Sequence, residues 1–563
     1  MTADFPVALI LILGGALVPL FRGRLRAAYM LLLPVMAFAY LLWLPHGEHA
    51  QLQLLGQTLV LMRVDRLSLL FGYIFLIAVL LNVIYALHVE DTVQHVAGLV
   101  YAGSTLGAVF AGDLLTLFIY WELTAVSSVL LIWARRTGQA YRSGMRYLLI
   151  QLLSGMFLLA GALLHWQATG SLTFGHIGLS GLGGALILIA FGIKCAFPLL
   201  HNWLQDAYPE ATPTGTVMLS AFTTKLGIYA LARGFPGTEE LIWIGTLMTA
   251  FPIFYAVIEN DLRRVLAYSI NNQLGFMVVG IGIGTELAIN GAVAHAFADI
   301  LFKGLLFMSM GAVLLRTGTV KASDLGGLYK SMPWTAGFCI VGAASISGFP
   351  LFSAFVTKSM IMVAAADQGY LWVWLALLFA SAGVVEHAGI KIPYFAFFAH
   401  DSGIRCREAP MNMLLAMAVV AGLCIGIGIF PGMLYAILPY AVDYEPYTAS
   451  HVVTQLQLLV FAVLGVFFLM RIGRYPHELR AVNLDSDWSY RRLAPIIAGA
   501  VARWLSGMIA ACGSGVAYRL SWVSGFLARR YGPGGTLAGT WPTGSMALWV
   551  MVLLLGYLLL YYL

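Results

Sequence analysis

The chain places ionisable side chains deep inside long apolar runs, and those residues are where its chemistry must be sought. Glu122 lies in the middle of Leu114 to Trp133, within Ile119-Tyr120-Trp121-Glu122-Leu123. Lys194 lies in Leu186 to Leu204, and Lys225 lies in Val217 to Ala232, far from either end. His295, Asp299 and Lys303 recur every four residues, which puts them on one stripe of a single helix. Lys358 follows a Gly348-Phe349-Pro350 interruption, while Glu386, His387 and Lys391 share the run from Leu371 to Phe398. A charge in the middle of a bilayer costs about 2.5–3.5 kcal/mol on insertion scales, so each such residue is a functional candidate. Acids, bases and histidines distributed over many helices suit a proton path. A lysine in low dielectric holds its proton weakly, and a carboxylate that approaches or withdraws restores or removes that hold. The alternative for any one pair is a static ion pair joining two helices, since buried charges must be paired in any case. His201 and Asp206 could feed protons into such a path, or could be ordinary helix-end groups.

The elements that carry these residues are interrupted. Lys194-Cys195-Ala196-Phe197-Pro198-Leu199 and Gly348-Phe349-Pro350-Leu351, the latter followed by Lys358, each set a proline and a lysine inside a span. Either segment alone reads as a plain proline kink. As a pair they point to the discontinuous helices and inverted repeats of secondary transporters, whose unwound backbone lines water or protein.

Composition explains why helices are the answer. Only 10% of the 563 residues are Asp, Glu, Lys or Arg, 61% are hydrophobic, and the mean hydropathy is +0.87. Soluble domains carry about 25% charge. The apolar stretches are continuous rather than alternating, so the expected fold is an all-α polytopic membrane protein, not a barrel. Runs long enough to cross begin near Phe5, Ala27, Leu67, Val96, Asp113, Met145, Gly184, Pro213, Glu240, Leu262, Leu287, Trp334, Leu371, Met411, His451 and Ser545. That is about 14–16 transmembrane helices. Phe5 to Leu20 has an acidic lead and is expected to remain as the first span. Basic loops follow odd-numbered spans (Arg22, Arg24 and Arg26; Arg135, Arg136 and Arg142; Lys321 and Lys330; Arg471, Arg474 and Arg480), which places them in the cytoplasm and the N-terminus outside. The net charge of +6 belongs to those loops and says little about nucleic acid. Gly47 to Arg66 alternates enough for an external hairpin. Ala494 to Arg530, with Arg503, Arg519, Arg529 and Arg530, reads as amphipathic helix along the membrane or against a partner, or as a poor extra span.

The five cysteines are scattered with no C-x-x-C pair, which argues against iron–sulfur and zinc sites, and no G-x-x-x-x-G-K-[ST] loop is present for ATP. No cofactor and no metal are expected.

Several segments together resemble a known family. WELTAVSSVLLIW, around Glu122, is similar to the glutamate helix of the antiporter-like subunits shared by respiratory complex I and Mrp cation/proton antiporters. GIKCAFPLLHNWLQDAYPEATPT resembles that family's K-x-x-x-P-x-x-H-x-W-L-x-D-A segment. LSAFTTKLGIYAL, ENDLRRVLAYSINNQLGFM, AHAFADILFKGLLF, DLGGLYKSMP and SGFPLFSAFVTK follow in the family order, so the likeness covers residues 65–400. It implies two inverted five-helix repeats, an N-terminal part over 1–95, repeats over 96–234 and 238–400, further helices over 401–475, a cytoplasmic-side amphipathic segment over 476–542 and a last helix over 543–563. It also implies that Glu122 and Lys194 form the coupled pair of one half channel, Lys225 the connecting lysine and Lys358 the terminal residue of the other half. The tail, with NLDSDWSYRRL and WPTGSMALWVMVLL, looks most like the D-type member of the Mrp antiporters. Asp299 departs from the family, which often has histidine there. The expected function is a proton-translocating subunit of a multisubunit Na⁺(K⁺)/H⁺ antiporter in a bacterial cytoplasmic membrane, partnered by other membrane subunits. Redox-driven pumping in a complex I-like or membrane-hydrogenase assembly, or proton-coupled inorganic carbon uptake, uses the same path with another driver. A scaffold that lost transport would gain nothing from its buried charges.

Overall fold

The computed structural model describes residues 5–54, 56–476, 478–480, 483, 485–511, 514–531 and 543–562. The chain divides into a unit over Met1–Asn483 and another over Leu484–Leu563. Each of the sixteen apolar runs contains helix.

In the first unit these are α1 Val7–Leu17, α2 Gly23–Trp43, α3 Arg66–Tyr85, α4 Thr92–Phe110, α5 Leu114–Trp133, α6 Gly138–Thr169, α7 Gly181–Lys194, the short α8 Asn202–Ala207, and α9 Pro213–Gly234. There follow α10 Glu239–Ile258, α11 Leu262–Ile283, α12 Glu286–Thr317, α13 Pro333–Ser347, α14 Ser353–Asp367, α15 Leu371–Phe398, α16 Met411–Ile429 and α17 Ala449–Arg471. The second unit has α18 Ala494–Ala511, α19 Ser514–Tyr531 and α20 Thr543–Tyr562. Among the described residues, 12 helices are long and apolar enough to cross a membrane, so the protein is a multi-pass membrane protein. The strands β1 Gly47–Leu54 and β2 Gln57–Val64 pair antiparallel, from Gly47 against Val64 to Leu54 against Gln57.

α7 and α13 are short because both stop at the same device. At the first break the Phe197 amide donates to the Gly192 carbonyl (2.9 Å), and at the second the Phe349 amide donates to Ala344 (3.1 Å). Each closes the helix end with a wide backbone loop. A Phe-Pro-Leu sequence follows in both, and both leucines take a left-handed backbone, Leu199 at φ 69° and Leu351 at φ 75°. For a non-glycine residue that conformation costs roughly 1–3 kcal/mol and persists only where the surroundings impose it. The carbonyls freed by the breaks are satisfied from neighbours. Trp203 Nε1 donates to Ile193 O and Asn271 Nδ2 to Ala196 O, while Gln455 Nε2 donates to Ser347 O.

Two five-helix blocks share this plan. The bundles α4–α9 and α10–α15 each begin with a short span and a second helix capped by aspartate, Asp113 or Asp261. A 32-residue helix capped by threonine follows in each, Thr137 for α6 and Thr285 for α12, and each ends on a left-handed glycine. Then comes the broken helix. Asp113 bridges Thr173, and Asp261 bridges Lys321. These bridges sit at opposite ends of the bundle. The Asp261 end also gathers Arg135 on Pro209 O (2.7 Å), Arg136 on Asp91 (3.2 Å) and Arg480 on Asp324 (2.8 Å). The Asp113 end holds the hairpin, through Val60 N on Asp113 (2.8 Å) and Arg233 on Asp65 (2.8 Å). α9, α11 and α12 form the enclosed centre; every residue of α12 from Ala288 to Val313 is buried.

A candidate proton path through the bundle

The charged residues begin on α5. Glu122 is half-buried and its Oε1 has no hydrogen-bond partner. It lies against Gly155 of α6 so closely that a β-carbon there would fall 1.3 Å from that oxygen. Lys194, on the last turn of α7, is buried. Its Nζ donates to Thr124 Oγ1 at 2.8 Å and Trp121 O at 3.3 Å and lies 4.3 Å from the Trp121 ring centroid. Lys194 therefore sits against the turn of α5 that carries Glu122.

A set of buried hydroxyls links α5, α6, α9 and α4. Ser128 Oγ bonds Tyr147 Oη (2.8 Å), Tyr147 Oη reaches Thr223 Oγ1 (3.3 Å), and Thr223 Oγ1 bonds Tyr101 Oη (2.5 Å). Such hydroxyls donate and accept by rotating, as a proton relay requires. Thr223 is two residues from Lys225 on α9. Lys225 then forms an ion pair with Asp299 Oδ2 of α12 at 2.6 Å, with both side chains fully buried, and donates to Ser220 O at 3.0 Å.

Asp299 is the middle of the α12 stripe. His295, one turn before it, bonds Gln273 Oε1 through Nε2 and Thr357 Oγ1 through Nδ1, both at 3.0 Å. Lys303, one turn after it, donates to Ser269 Oγ. Thr357 is the neighbour of Lys358, whose Nζ has no hydrogen-bond partner and lies 4.8 Å from the Phe276 ring centroid. On α15 the helix widens over Val385–Ile390, where Glu386 and His387 stand, and again over Tyr394–Phe398, with Lys391 between the two stretches. His387 is buried, Glu386 accepts from Tyr475 Oη (2.5 Å), and Lys391 pairs with Glu478 (3.0 Å).

The structure thus brings Lys225, Asp299, His295, Lys303 and Lys358 into one buried polar line, while Lys194 is held apart from it by Thr124 and Trp121 of α5. His201 is buried with its ring 4.7 Å from Phe251. Asp206 is held by Arg146 at 2.7 and 3.0 Å. Sequence reasoning missed Tyr101, Ser128, Tyr147, Thr223, Gln273 and Thr357, whose residue types are ordinary in any span. It also missed Gly155 and Glu478. Tyr147, Gln151 and Gly155 do recur every four residues, a spacing that marks one face of α6.

Residues 111–383 match the family model described as NADH:quinone oxidoreductase/Mrp antiporter, TM. The chain is similar to the D-type subunit of the Na(+)/H(+) antiporter of Alkalihalophilus pseudofirmus, 31% identical over 315 residues that cover 52% of this chain and 64% of that one. It is also similar to the A-type subunit from the same organism, 29% identical over 435 residues, covering 68% of this chain and 54% of the relative. The chain therefore spans between half and two thirds of the length of the curated relatives it matches. In fold it resembles a chain of the Mrp complex from Dietzia sp. DQ12-45-1b, with a TM-score of 0.78, 24% identity, and coverage of 93% of this chain and 62% of that chain.

Proposed function

The chain belongs to the antiporter-like membrane family shared by NADH:quinone oxidoreductase and Mrp antiporters, and we propose that it is the proton-translocating subunit of a multisubunit Na⁺(K⁺)/H⁺ antiporter. The observation that carries this reading is the buried Lys225–Asp299 pair, which joins the charges of one five-helix block to those of the other. A static clamp would need only that pair. Here a further histidine and two lysines continue from it on α12 and α14. The opposite placement of the Asp113 and Asp261 bridges supports the inverted-repeat relation of the blocks. The cluster of arginines at the Asp261 end supports a cytoplasmic position for that end in a bacterial inner membrane, with the N-terminus outside. The relatives support a D- or A-type antiporter component working with other membrane subunits, a transporter rather than an enzyme.

In this mechanism a proton reaches Glu122 and passes to Lys194. When Glu122 turns away, the Lys194 ammonium loses the charge that stabilises it and gives its proton to the Ser128–Tyr147–Thr223–Tyr101 hydroxyls. Lys225 receives it. Asp299 carries it to Lys303 or His295, and Thr357 leads from His295 to Lys358. Proton flow down its gradient drives Na⁺ or K⁺ expulsion by the assembly.

The test is antiport in everted vesicles. Lys194→Ala and Glu122→Ala should each abolish it while the complex still assembles; full activity in both contradicts the assignment. Proton movement that requires an electron donor, and ignores an imposed Na⁺ or K⁺ gradient, would instead identify a redox-driven pump.

A further inference from the structure

Beyond α17 the chain returns across the Asp261 end of the bundle, and four side chains between residues 475 and 483 fasten it there. Tyr475 Oη donates to Glu386 (2.5 Å), Glu478 pairs with Lys391 (3.0 Å), Arg480 pairs with Asp324 (2.8 Å), and Asn483 Nδ2 donates to Glu259 (3.2 Å). Of the two inner contacts, Glu386 stands on the widened turn Val385–Ile390 of α15, and Lys391 stands directly after it. Widened turns of this kind expose backbone and side chains that a regular helix would enclose, and they gather at functional sites. The Lys391 side chain is fully buried and that of Glu478 is 6% exposed. Lys391 Nζ also donates to the carbonyls of Ala256 (3.2 Å) and Val257 (2.6 Å). Those carbonyls belong to the last turn of α10, just before the buried Glu259. An ion pair this enclosed gains little stability over apolar packing, so its presence calls for a use.

We propose that this strap supplies the last proton carrier of the path, with Glu478 taking a proton from Lys391 and releasing it to water at the arginine-rich end. The inference rests on the proton-transport reading. The step is a proton transfer between two fixed partners. The Lys391 Nζ–H bond breaks and a Glu478 O–H bond forms, leaving a neutral amine and a neutral carboxylic acid. The acid then loses its proton to water, and Lys391 is recharged from the path behind it. Burial holds the Glu478 carboxyl above the usual carboxylate range, with Lys391 acting against that rise, so the acid form is within reach. Tyr475 and Glu386 position the strap. Arg480 holds the Asp324 carboxyl below its usual range and anchors the outer edge.

The experiment uses the assembled complex in everted vesicles. Glu478→Gln should slow proton antiport at least tenfold with assembly intact, and added formate, a small weak acid, should restore several-fold of the loss. A purely structural Glu478 would not respond to formate. Should Glu478→Gln fail to assemble, Glu478→Asp serves in its place, because it keeps the charge but draws the carboxylate back from Lys391; its rate should fall several-fold and again respond to formate. Unchanged rates, or losses that formate leaves untouched, overturn the proposal. Glu122→Gln is measured in parallel. If Glu122→Gln abolishes antiport and Glu478→Gln does not, the strap's role fails alone; if neither matters, the transport reading fails with it.

Discussion

The two five-helix blocks are built to one plan and charged in different places. Counted from the capping threonines, His295, Asp299 and Lys303 of α12 stand where α6 has Tyr147, Gln151 and Gly155. One long helix is a stripe of ionisable groups; the other offers a phenol, an amide and an empty place, and Glu122 of α5 fills that place. The breaks differ likewise. Aligned on Phe197 and Phe349, Lys194 corresponds to Ile346, and Lys358 corresponds to Asp206, which Arg146 neutralises. The first block thus carries its lysine before the break and the second carries it after. Neither lysine uses the freed carbonyls: Lys194 is held by Thr124 and Trp121 of α5, and Lys358 faces the Phe276 ring.

The largest effect should come from the joint between the blocks. Removing one partner of a buried ion pair strands the other, at a cost of about 3–5 kcal/mol. Lys225→Met or Asp299→Asn alone should therefore lower the melting temperature of the purified complex sharply, and the double variant Lys225→Met with Asp299→Leu should recover most of it. No recovery in the double variant would mean that the two residues do not act as a pair.

A second comparison sets one glycine against another. Gly155→Ala puts a methyl group onto the Glu122 carboxylate, whereas Gly304→Ala on α12 meets nothing within 4 Å. The first should cut antiport tenfold or more and the second should leave it near the original rate, as measured by vesicle assay. Equal behaviour would remove the role given to the Glu122–Gly155 contact.

The smallest effect lies at the breaks. Gly348 (φ 71°) and Ala196 (φ 58°) occupy equivalent left-handed positions. Gly348→Ala should destabilise by about 1 kcal/mol, and Ala196→Gly should stabilise by somewhat less, because glycine also loosens the unfolded chain. Thermal melting reads both; changes of the same sign would contradict the equivalence of the breaks.

The sequence made legible what the bilayer isolates. Glu122, Lys194, Lys225, the α12 stripe and Lys358 are conspicuous because each is costly in an apolar run, and the Phe-Pro-Leu breaks because proline removes a backbone donor. The Lys225–Asp299 contact was not legible, since it joins helices 74 residues apart in the chain. Nor were the relays, since serine and threonine hydroxyls satisfy themselves on their own helix in most spans and the tyrosines reach partners on other helices. Gly155 carries its meaning only through the side chain it admits. Glu478 lies beyond the last apolar run of its unit, where a carboxylate attracts no notice.

The most direct test of the central claim, that protons cross from one block to the other through Lys225 and Asp299, is proton flux in liposomes holding the purified complex, read with an internal pH-sensitive dye under an imposed Na⁺ or K⁺ gradient. The Lys225→Met, Asp299→Leu double variant should be folded, assembled and silent. Flux at the original rate in that variant would contradict the account.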